Sequence, residues 1–385
     1  MKYRLEDICS FRKEKVAVSS LTLKNYISTE NMLPNKAGIT KATSLPKCNT
    51  TQKFECGDVL VSNIRPYFKK IWKAKFNGGC SNDVLVFSAK EGFDTEFLYY
   101  VLSDDSFFEY SMATSKGTKM PRGDKKSIMN YEVPCFDINI QIKTASILKS
   151  IDDKIELNNK INNNLEQQAM AIFNNAIEQS KSVTYAELGS LADVKGGKRL
   201  PKGANLMSIP NSHPYIRVRD LNDVVFASLS ANYEYVDDET QKTISRYITT
   251  TDDVLISIVG TIGLTAIVDK SLNMANLTEN CVKVTNLHGI SPEYLLLYLR
   301  SQHGSGEIKK GTVGAVQEKL PIKNIQALSV PLLPQSDLQS LNDTLKVLFN
   351  QMSINVAESK CLTDIRDSLL PKLMSGELDV SNLDL

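Results

Sequence analysis

The apolar and polar positions of this chain follow one order in its first half and the same order again in its second half. The run Asp58-Val59-Leu60-Val61-Ser62 returns as Asp253-Val254-Leu255-Ile256-Ser257, and residues 96–102 return as residues 293–299. Further matches are Lys116-Gly117-Thr118 with Lys310-Gly311-Thr312, Val133-Pro134 with Val330-Pro331, and Leu165 with Leu362. The matched residues lie 194–197 positions apart and keep one order, which indicates a duplicated unit.

Each copy of the repeat predicts the same series of elements. Runs rich in β-branched residues at 58–64 and 82–89, and again at 253–260 and 280–285, predict β-strands. A short helix follows in each copy, and in the second copy Ser291 and Pro292 suit its N-cap and first position. A Gly-Thr loop, a Val-Pro step and a long helix complete the series. The second copy is longer in its first half, and the extra residues are expected between Arg199 and Arg246.

Two long stretches without glycine or proline predict amphipathic helices. One runs from Gln141 to about Gln179, and the other from about Gln335 to Leu370, where Pro371 perturbs or ends it. The helices either pack on their own domains or pack against each other, and their narrow apolar stripes and polar opposite faces favour the second arrangement. Under a pseudo-two-fold relation they run antiparallel, with a globular domain at each end. The residues predicted at this interface are Ile147, Ile151, Ile155, Ile161, Leu165, Leu341, Leu345, Leu348, Met352, Leu362 and Ile365.

The pattern as a whole predicts an α+β fold. Two tandem β-rich domains are each followed by a long helix, and the two helices pair as an antiparallel coiled coil. The predicted divisions are residues 1–140 for the first domain, 141–182 for the central helix, 183–334 for the second domain, 335–378 for the distal helix and 379–385 for a tail.

Composition agrees with a chain of two or more domains. The 385 residues are 42% hydrophobic and 23% charged, which is ordinary for globular proteins. The seven cysteines are scattered and include no CxxC pair, so reduced thiols in a cytosol are expected. The N-terminus has no apolar signal segment, and the most apolar stretch, 254–268, is too short and too broken to span a bilayer. A cytoplasmic protein without membrane contact is therefore expected.

The charge of the chain is unevenly distributed, although its net value is only +1. Residues 1–140 carry 21 Lys and Arg against 16 Asp and Glu, or +5, whereas residues 183–334 carry 15 against 15. The last 51 residues carry 4 against 8, or −4. Any nucleic-acid site must therefore come from local basic clusters.

Two basic clusters of the first copy suit DNA contacts. Residues 65–75 mix cations with aromatic side chains, although a solvated strand edge guarded by lysines is an alternative for this segment. Residues 116–126 combine a flexible Gly-Thr backbone with basic side chains, and residues 309–319 repeat this frame with other side chains. The predicted DNA contacts are Arg65, Tyr67, Lys69, Lys70, Lys116, Thr118, Lys119, Arg122, Lys198, Arg199, Lys202, Lys310, Thr312, Gln317 and Lys319.

Motifs of enzymes are missing from the sequence. It contains no HExxH and no strand-bounded GxGxxG, and residues 192–199 lack the first glycine and the Ser/Thr of a P-loop. The three histidines show no metal-ligand spacing. The Gly260-Thr261-Ile262-Gly263 segment follows a predicted strand, which favours a turn over a phosphate loop. No catalytic residue and no metal site are therefore predicted.

These residues together resemble the specificity subunit of type I restriction–modification systems. The resemblance is carried by both Gly-Thr loops and by the two Val-Pro steps that lead to Gln141 and to Gln335 and Gln339. It is carried also by residues 58–67 (DVLVSNIRPY), 253–257 (DVLIS), 259–263 (VGTIG) and 365–378 (IRDSLLPKLMSGEL), so it covers essentially the whole chain.

The resemblance implies a non-catalytic subunit with two target recognition domains. Each domain would read one half of a split double-stranded DNA sequence, and unlike loops would make that target asymmetric. The helices would dock two methyltransferase subunits, which use S-adenosylmethionine to methylate adenine N6. Restriction subunits that use ATP and Mg to translocate and cut DNA would join, and no cofactor would bind this chain. The alternative function is a coiled-coil scaffold or adaptor whose domains bind protein partners.

Overall fold

The computed structural model describes residues 2–230, 233–314 and 317–383. The chain folds into two compact units, and each is described by itself. Unit 1 contains Met1–Leu157 and Glu358–Leu385, and unit 2 contains Asn158–Ala357. Each long helix therefore contributes one half to unit 1 and the other half to unit 2.

Unit 1 contains the globular part of the first copy of the repeat. Its strands are β1 (Lys2–Arg4), β2 (Cys9–Phe11), β3 (Lys15–Ala17), β4 (Tyr26–Ile27), β5 (Thr50–Phe54), β6 (Val59–Ser62), β7 (Ile71–Lys73), β8 (Gly78–Cys80), β9 (Val84–Ala89) and β10 (Glu132–Pro134). Its helices are α1 (Leu5–Ile8), α2 (Thr95–Ser103), α3 (Asp105–Ala113), α4 (Lys125–Met129) and the first half of α5 (Ile138–Gln179).

The strands of unit 1 pair into sheets, and the central strands β6 and β9 are largely buried. One sheet has the order β2-β9-β6-β7, a second has the order β3-β5-β8-β4, and β1 pairs with β10. Every residue of β6 is buried, as a Val-Leu-Val run in a central strand predicts. Asp94 caps α2 by accepting a hydrogen bond from the backbone of Phe97 at 2.8 Å.

Unit 2 contains the globular part of the second copy. Its strands are β11 (Thr184–Glu187), β12 (Asp193–Gly196), β13 (Pro214–Ile216), β14 (Phe226–Ala227), β15 (Glu234–Tyr235), β16 (Val254–Ser257), β17 (Thr265–Val268), β18 (Asn276–Leu277), β19 (Cys281–Thr285) and β20 (Ser329–Leu332). Its helices are α6 (Leu188–Leu191), α7 (Asp238–Ile244), α8 (Pro292–Arg300), α9 (Gln302–Gly311), α10 (Ile322–Gln326), and the adjoining halves of α5 and α11 (Gln335–Ser375).

The internal architecture of unit 2 repeats that of unit 1. Its main sheet has the order β12-β19-β16-β17-β14, a second has the order β15-β13-β18, and β11 pairs with β20. Helix α8 begins at the predicted cap, where Ser291 accepts a hydrogen bond from the backbone of Tyr294 at 3.2 Å. Helices α2, α3, α4 and α5 each begin 197 residues before α8, α9, α10 and α11. The predicted duplication and α+β fold are confirmed.

The two long helices pack together as the predicted antiparallel pair. In unit 1, Asp152 pairs with Arg366 at 2.8 Å and Lys154 pairs with Glu358 at 3.2 Å. In unit 2, Asn162 donates to the backbone oxygen of Met352 at 3.2 Å and accepts from Asn355 at 2.8 Å. Asn158, which donates to Asn355 at 3.5 Å, is the equivalent of Asn355 in the other copy. Within each unit, residues later in α5 contact residues earlier in α11, as antiparallel packing requires.

The helices also complete the core of each unit, so both packing arrangements considered from the sequence occur. Ala145 and Leu148 of α5 join Leu370, Leu373 and Met374 of α11 in the core of unit 1. In the core of unit 2, the partners are Ala169 and Phe173 of α5 with residues of α11. Those residues of α11 are Leu338, Leu341, Leu345, Phe349 and Met352.

The sequence left open whether Pro371 perturbs or ends helix α11. The helix continues through Pro371 to Ser375, within the predicted division 335–378. The ring removes one backbone hydrogen bond, but Leu373 and Met374 beyond it are buried in the core of unit 1. Burial of the last turn thus outweighs the local preference of proline.

Replacing Arg366 with methionine is expected to destabilise unit 1. The Asp152 carboxylate accepts from Arg366 at 2.8 Å and from the Tyr100 hydroxyl at 2.7 Å, so the variant removes its only cation within 4 Å among the described residues. The expected loss is about 1–3 kcal/mol of unfolding free energy, measured by denaturant titration. Asp367→Asn is the matched control, because that carboxylate is half exposed. Equal losses in the two variants would contradict this role.

Candidate nucleic-acid interface

A small hairpin projects beyond α3 in unit 1 and carries the second basic cluster. Lys116 and Arg122 exchange two backbone hydrogen bonds, at 2.9 and 3.0 Å. Gly117 adopts a φ of +92°, which lets the chain turn without steric cost. Thr118, Lys119 and Met120 lie at the exposed tip. This segment, residues 116–122, is named the first hairpin.

The first hairpin is joined to the turn that follows β6. Ile64 forms a β-bridge with Arg122, and the backbone of Arg65 donates to Pro121 at 2.8 Å. The two basic clusters, about fifty residues apart in sequence, therefore form one continuous surface. Of the predicted DNA contacts, this surface contains Arg65, Tyr67, Lys69, Lys70, Lys116, Thr118, Lys119 and Arg122.

Acidic side chains hold some of these cations in place. Lys116 pairs with Asp124 at 2.5 Å, and Arg122 pairs with Asp83 at 3.2 Å. The hydrogen bond from Lys116, together with that from the Ser127 backbone, lowers the pKa of Asp124 well below its usual range. Within the described part of the chain, Lys119 has no acidic partner within 4 Å, so its charge is available to a ligand.

The basic cluster at residues 65–75 divides into two parts. Residues 65–70 form a turn with a 3₁₀ helix (Pro66–Phe68), whereas Lys73 lies in β7, the edge strand of its sheet. Lys73 pairs with Glu96, and Lys75 pairs with Glu156 at 2.6 Å. The interpretation as a guarded strand edge therefore applies to Lys73 but not to the turn.

The turn itself fixes Lys69 and Lys70. Lys69 pairs with Asp105 at 2.7 Å. The Lys70 ammonium donates to the backbone oxygen of Thr29 at 2.6 Å, and burial lowers its pKa. Tyr67 is 48% exposed and Phe68 37% exposed. Phe68 and Met120 were not among the predicted contacts, although both stand beside basic residues in the sequence.

Unit 2 contains an equivalent hairpin, but its left-handed glycine lies later in the chain than the match of Gly117 with Gly311 predicts. Val313 and Lys319 exchange backbone hydrogen bonds at 2.9 and 2.8 Å, and Lys319 forms a β-bridge with Val259. The left-handed glycine is Gly314, with φ +105°. The equivalents of Lys116, Gly117 and Arg122 are thus Val313, Gly314 and Lys319, at an offset of 197.

Matching Lys116-Gly117-Thr118 with Lys310-Gly311-Thr312 is therefore wrong. Lys310 and Gly311 end α9, and the Thr312 hydroxyl donates to the backbone oxygen of Ile308 at 2.9 Å. Of the apolar residues expected in this loop, Val313 is exposed, whereas Ala315 and Val316 lie outside the described residues. Gln317 and Lys319 are exposed, and the described residues 313–314 and 317–319 are called the second hairpin.

Arg199, another predicted contact of unit 2, lies near the same end of its main sheet. The backbone of Ile258 donates to Asn280 at 2.8 Å and accepts from Leu320, next to the second hairpin, at 3.0 Å. Arg199 pairs with Glu279 at 2.8 Å, and this hydrogen bond raises the pKa of Arg199. The Lys198 ammonium lies 5.4 Å from the ring centroid of Tyr247, and Lys202 is exposed.

The Gly260–Gly263 segment is a β-turn region, as the sequence favoured. It joins β16 to β17, and the backbone of Gly263 donates to Ser257 at 3.0 Å. Across residues 2–230, 233–314 and 317–383, no three His, Cys, Asp or Glu side chains converge as metal ligands. No helix of that part of the chain combines the length and apolar character needed to cross a membrane.

The helix residues predicted at the interface differ in burial. Leu341, Leu345 and Met352 are buried, whereas Ile161 is 37% and Ile365 42% exposed. The other predicted residues, which are half-buried, are Ile147, Ile151, Ile155, Leu165, Leu348 and Leu362. Phe173 and Phe349 are almost fully buried but were not among the predicted residues. Each stands next to an apolar residue of the predicted stripe, Ile172 or Leu348.

Replacing Lys319 with alanine is expected to weaken recognition by unit 2 more than replacing Lys310. Lys319 occupies the position of Arg122, whereas Lys310 lies on α9. A lost base or phosphate contact costs about tenfold in affinity. Competition binding with duplexes altered in each half of the target measures the effect. A larger effect of Lys310→Ala would support the original sequence match instead.

The sequence matches one family model and several known proteins. A family model described as the type I restriction modification DNA specificity domain matches residues 1–167 and 181–362. The type I restriction enzyme MjaIX specificity subunit of Methanocaldococcus jannaschii is 24% identical over 317 residues, covering 76% of this chain and 71% of the relative. The HindI specificity subunit of Haemophilus influenzae is 22% identical over an alignment of 461 positions, which covers 98% of this chain and 99% of the relative.

A solved structure shares the fold. The crystal structure of the S subunit of a type I restriction-modification system from M. genitalium aligns with a TM-score of 0.56 and 18% identity. The alignment covers 99% of this chain and 96% of the other. The similarity therefore extends over both copies of the repeat and both long helices.

Proposed function

The chain belongs to the type I restriction-modification DNA specificity family, and we propose that it selects the DNA sequence on which a type I restriction–modification complex acts. One observation carries this proposal. Each copy of the repeat presents the same hairpin, bridged to the end of β6 or β16, with exposed basic or polar side chains. A fixed backbone with variable side chains suits the reading of base edges in a groove.

The two surfaces differ enough to read unlike half-sites. The hairpins share their left-handed glycine and a cation at Arg122 or Lys319, but Lys116 of the first is Val313 in the second. The basic, aromatic turn at residues 65–69 corresponds to Gly260–Gly263 in the second copy. The target is therefore asymmetric, with two different halves read from double-stranded DNA.

Partner subunits would supply the chemistry. In this proposal two methyltransferase subunits use S-adenosylmethionine to methylate adenine N6, and restriction subunits use ATP and Mg to translocate and cut DNA in the cytoplasm. The sequence motifs of such enzymes are missing from this chain. Apolar side chains on the long helices support docking of the methyltransferases, since Leu157, Val347 and Ile354 are 50–68% exposed.

Binding to DNA carrying the split target tests this function. The chain in complex with its methyltransferase subunits is expected to prefer the target over a scrambled duplex at every salt concentration. Both affinities should fall as salt rises, because phosphate contacts release counterions. The exposed apolar residues on the helices also fit a scaffold for protein partners. Tight methyltransferase binding without any sequence preference on DNA would favour that scaffold.

A further inference from the structure

We propose that Tyr67 and Phe68 form an apolar wedge that enters the first half-site between two stacked base pairs and opens that step. This inference rests on the proposed function and assigns one part of the surface a role distinct from hydrogen-bonded readout. Apolar wedges of this kind partly unstack a base step and kink the duplex.

The first observation is exposure. Tyr67 is 48% and Phe68 37% exposed, and their ring centroids are 4.7 Å apart. Neither ring belongs to a hydrophobic core cluster of the described residues. In the second copy, Ile262 of the equivalent turn packs against the core of unit 2. Only the first copy therefore presents large apolar side chains at this position.

The second observation is backbone strain around the rings. Arg65 and Lys69, which bracket the 3₁₀ helix, adopt left-handed conformations with φ of +50° and +48°. The second copy has glycine at both ends of its turn, Gly260 and Gly263, with φ of +82° and +86°. Non-glycine residues in this region cost free energy, and such strain clusters at functional sites.

A neighbouring loop holds the strained turn rigid. The backbone of Asn35 donates to Phe68 at 2.8 Å, and that of Lys36 donates to Lys69 at 2.9 Å. Asn35 and Lys36 are themselves left-handed, with φ of +56° and +61°. The rings thus sit on a preorganised support, which lowers the entropy cost of inserting them.

Charge identifies DNA as the occupant. Lys36 and Lys69 share the single carboxylate of Asp105, at 2.9 and 2.7 Å, and Lys70 lies 5.7 Å from the ring centroid of Phe68. Among the described residues, Arg65 has no acidic side chain within 4 Å, so the surroundings of the rings are net positive. The turn is also continuous with the first hairpin through the bond from Arg65 to Pro121.

The test uses the full chain in complex with its methyltransferase subunits and duplexes with a fluorescent base analogue at each position. With the unaltered complex, the fluorescence of the analogue is expected to rise severalfold at one base step of the first half-site. That step should not contain the adenine that is methylated. Tyr67→Ala with Phe68→Ala should abolish that signal and weaken binding about ten- to a hundredfold, as for lost base–aromatic stacking. Phe68→Leu, which keeps an apolar wedge, should retain most of both.

Ile262→Ala in the second copy is the matched control and should leave the fluorescence of the first half-site unchanged. Unchanged fluorescence and binding in the double alanine variant, with an unaltered melting temperature, would overturn the wedge. Equal weakening of both half-sites would overturn it as well. If the proposed function itself were wrong, the unaltered complex would show no sequence preference on DNA. That result is distinct from the loss of fluorescence that tests the wedge.

Discussion

Replacing Lys119 and Arg122 together with glutamate is expected to abolish recognition of one half of the DNA target and leave the other half unaffected. Both side chains are exposed on the first hairpin, whose backbone is held by the bonds between Lys116 and Arg122. The variant also loses the ion pair of Arg122 with Asp83. Each lost contact to a base or phosphate costs about 1–3 kcal/mol, and the new carboxylates repel phosphates. Affinity for the first half-site should fall at least about a hundredfold.

Methylation of substrate pools randomised in one half-site measures this result. The variant complex should accept many sequences in the first half and only the original sequence in the second. Lys13→Glu with Lys15→Glu is the matched control, since it reverses the same charge on two exposed residues of unit 1 that lie outside both basic clusters. Equal relaxation of both halves would show that the two units do not read DNA independently.

Ending the chain at Leu369 is expected to unfold unit 1, although the deletion lies more than 200 residues from its strands in sequence. The deletion removes Leu370, Leu373, Met374 and Val380, which are all buried in the core of unit 1. Each such loss costs about 2–5 kcal/mol, and the total exceeds the stability of a typical domain. Unit 2 should remain folded, because its core uses residues of α11 no later than Met352.

Hydrogen exchange distinguishes the two units in the same sample. Amides of β6 and β9 should lose protection in the truncated chain, whereas amides of β16 and β19 should keep it. A chain ending at Ser381 serves as the control, because it retains all four core residues. Slow exchange of β6 in the chain ending at Leu369 would contradict the assignment of α11 to this core.

The regular elements of the fold could be predicted because their signals are local. The continuous apolar, β-branched runs within residues 58–62 and 253–257, and the cap at Ser291, each depend on a few neighbouring positions. Local signals alone did not decide whether α11 ends at Pro371 or continues past it, because proline is unfavourable inside a helix. The helical state of its last turn depends on burial of Leu373 and Met374 among residues distant in sequence.

The site was partly predictable for a similar reason. Basic residues at 65–70 and 116–122 stand out in the sequence, but their junction depends on the pairing of Ile64 with Arg122. The Gly-Thr match misplaced the second hairpin, since Gly311 resembles Gly117 in sequence while Gly314 shares its backbone conformation. Exposure of Phe68 follows from the strained turn, which no spacing of residues reveals.

Mapping methylated adenines across the genome of cells that carry the complex tests the central claim most directly. The expected result is one split motif with two unlike halves, separated by a fixed number of unspecified bases. That motif should disappear when this chain is deleted and should change in its first half alone when the first hairpin is altered. A palindromic motif, or the absence of any split motif in cells with an active complex, would contradict the account.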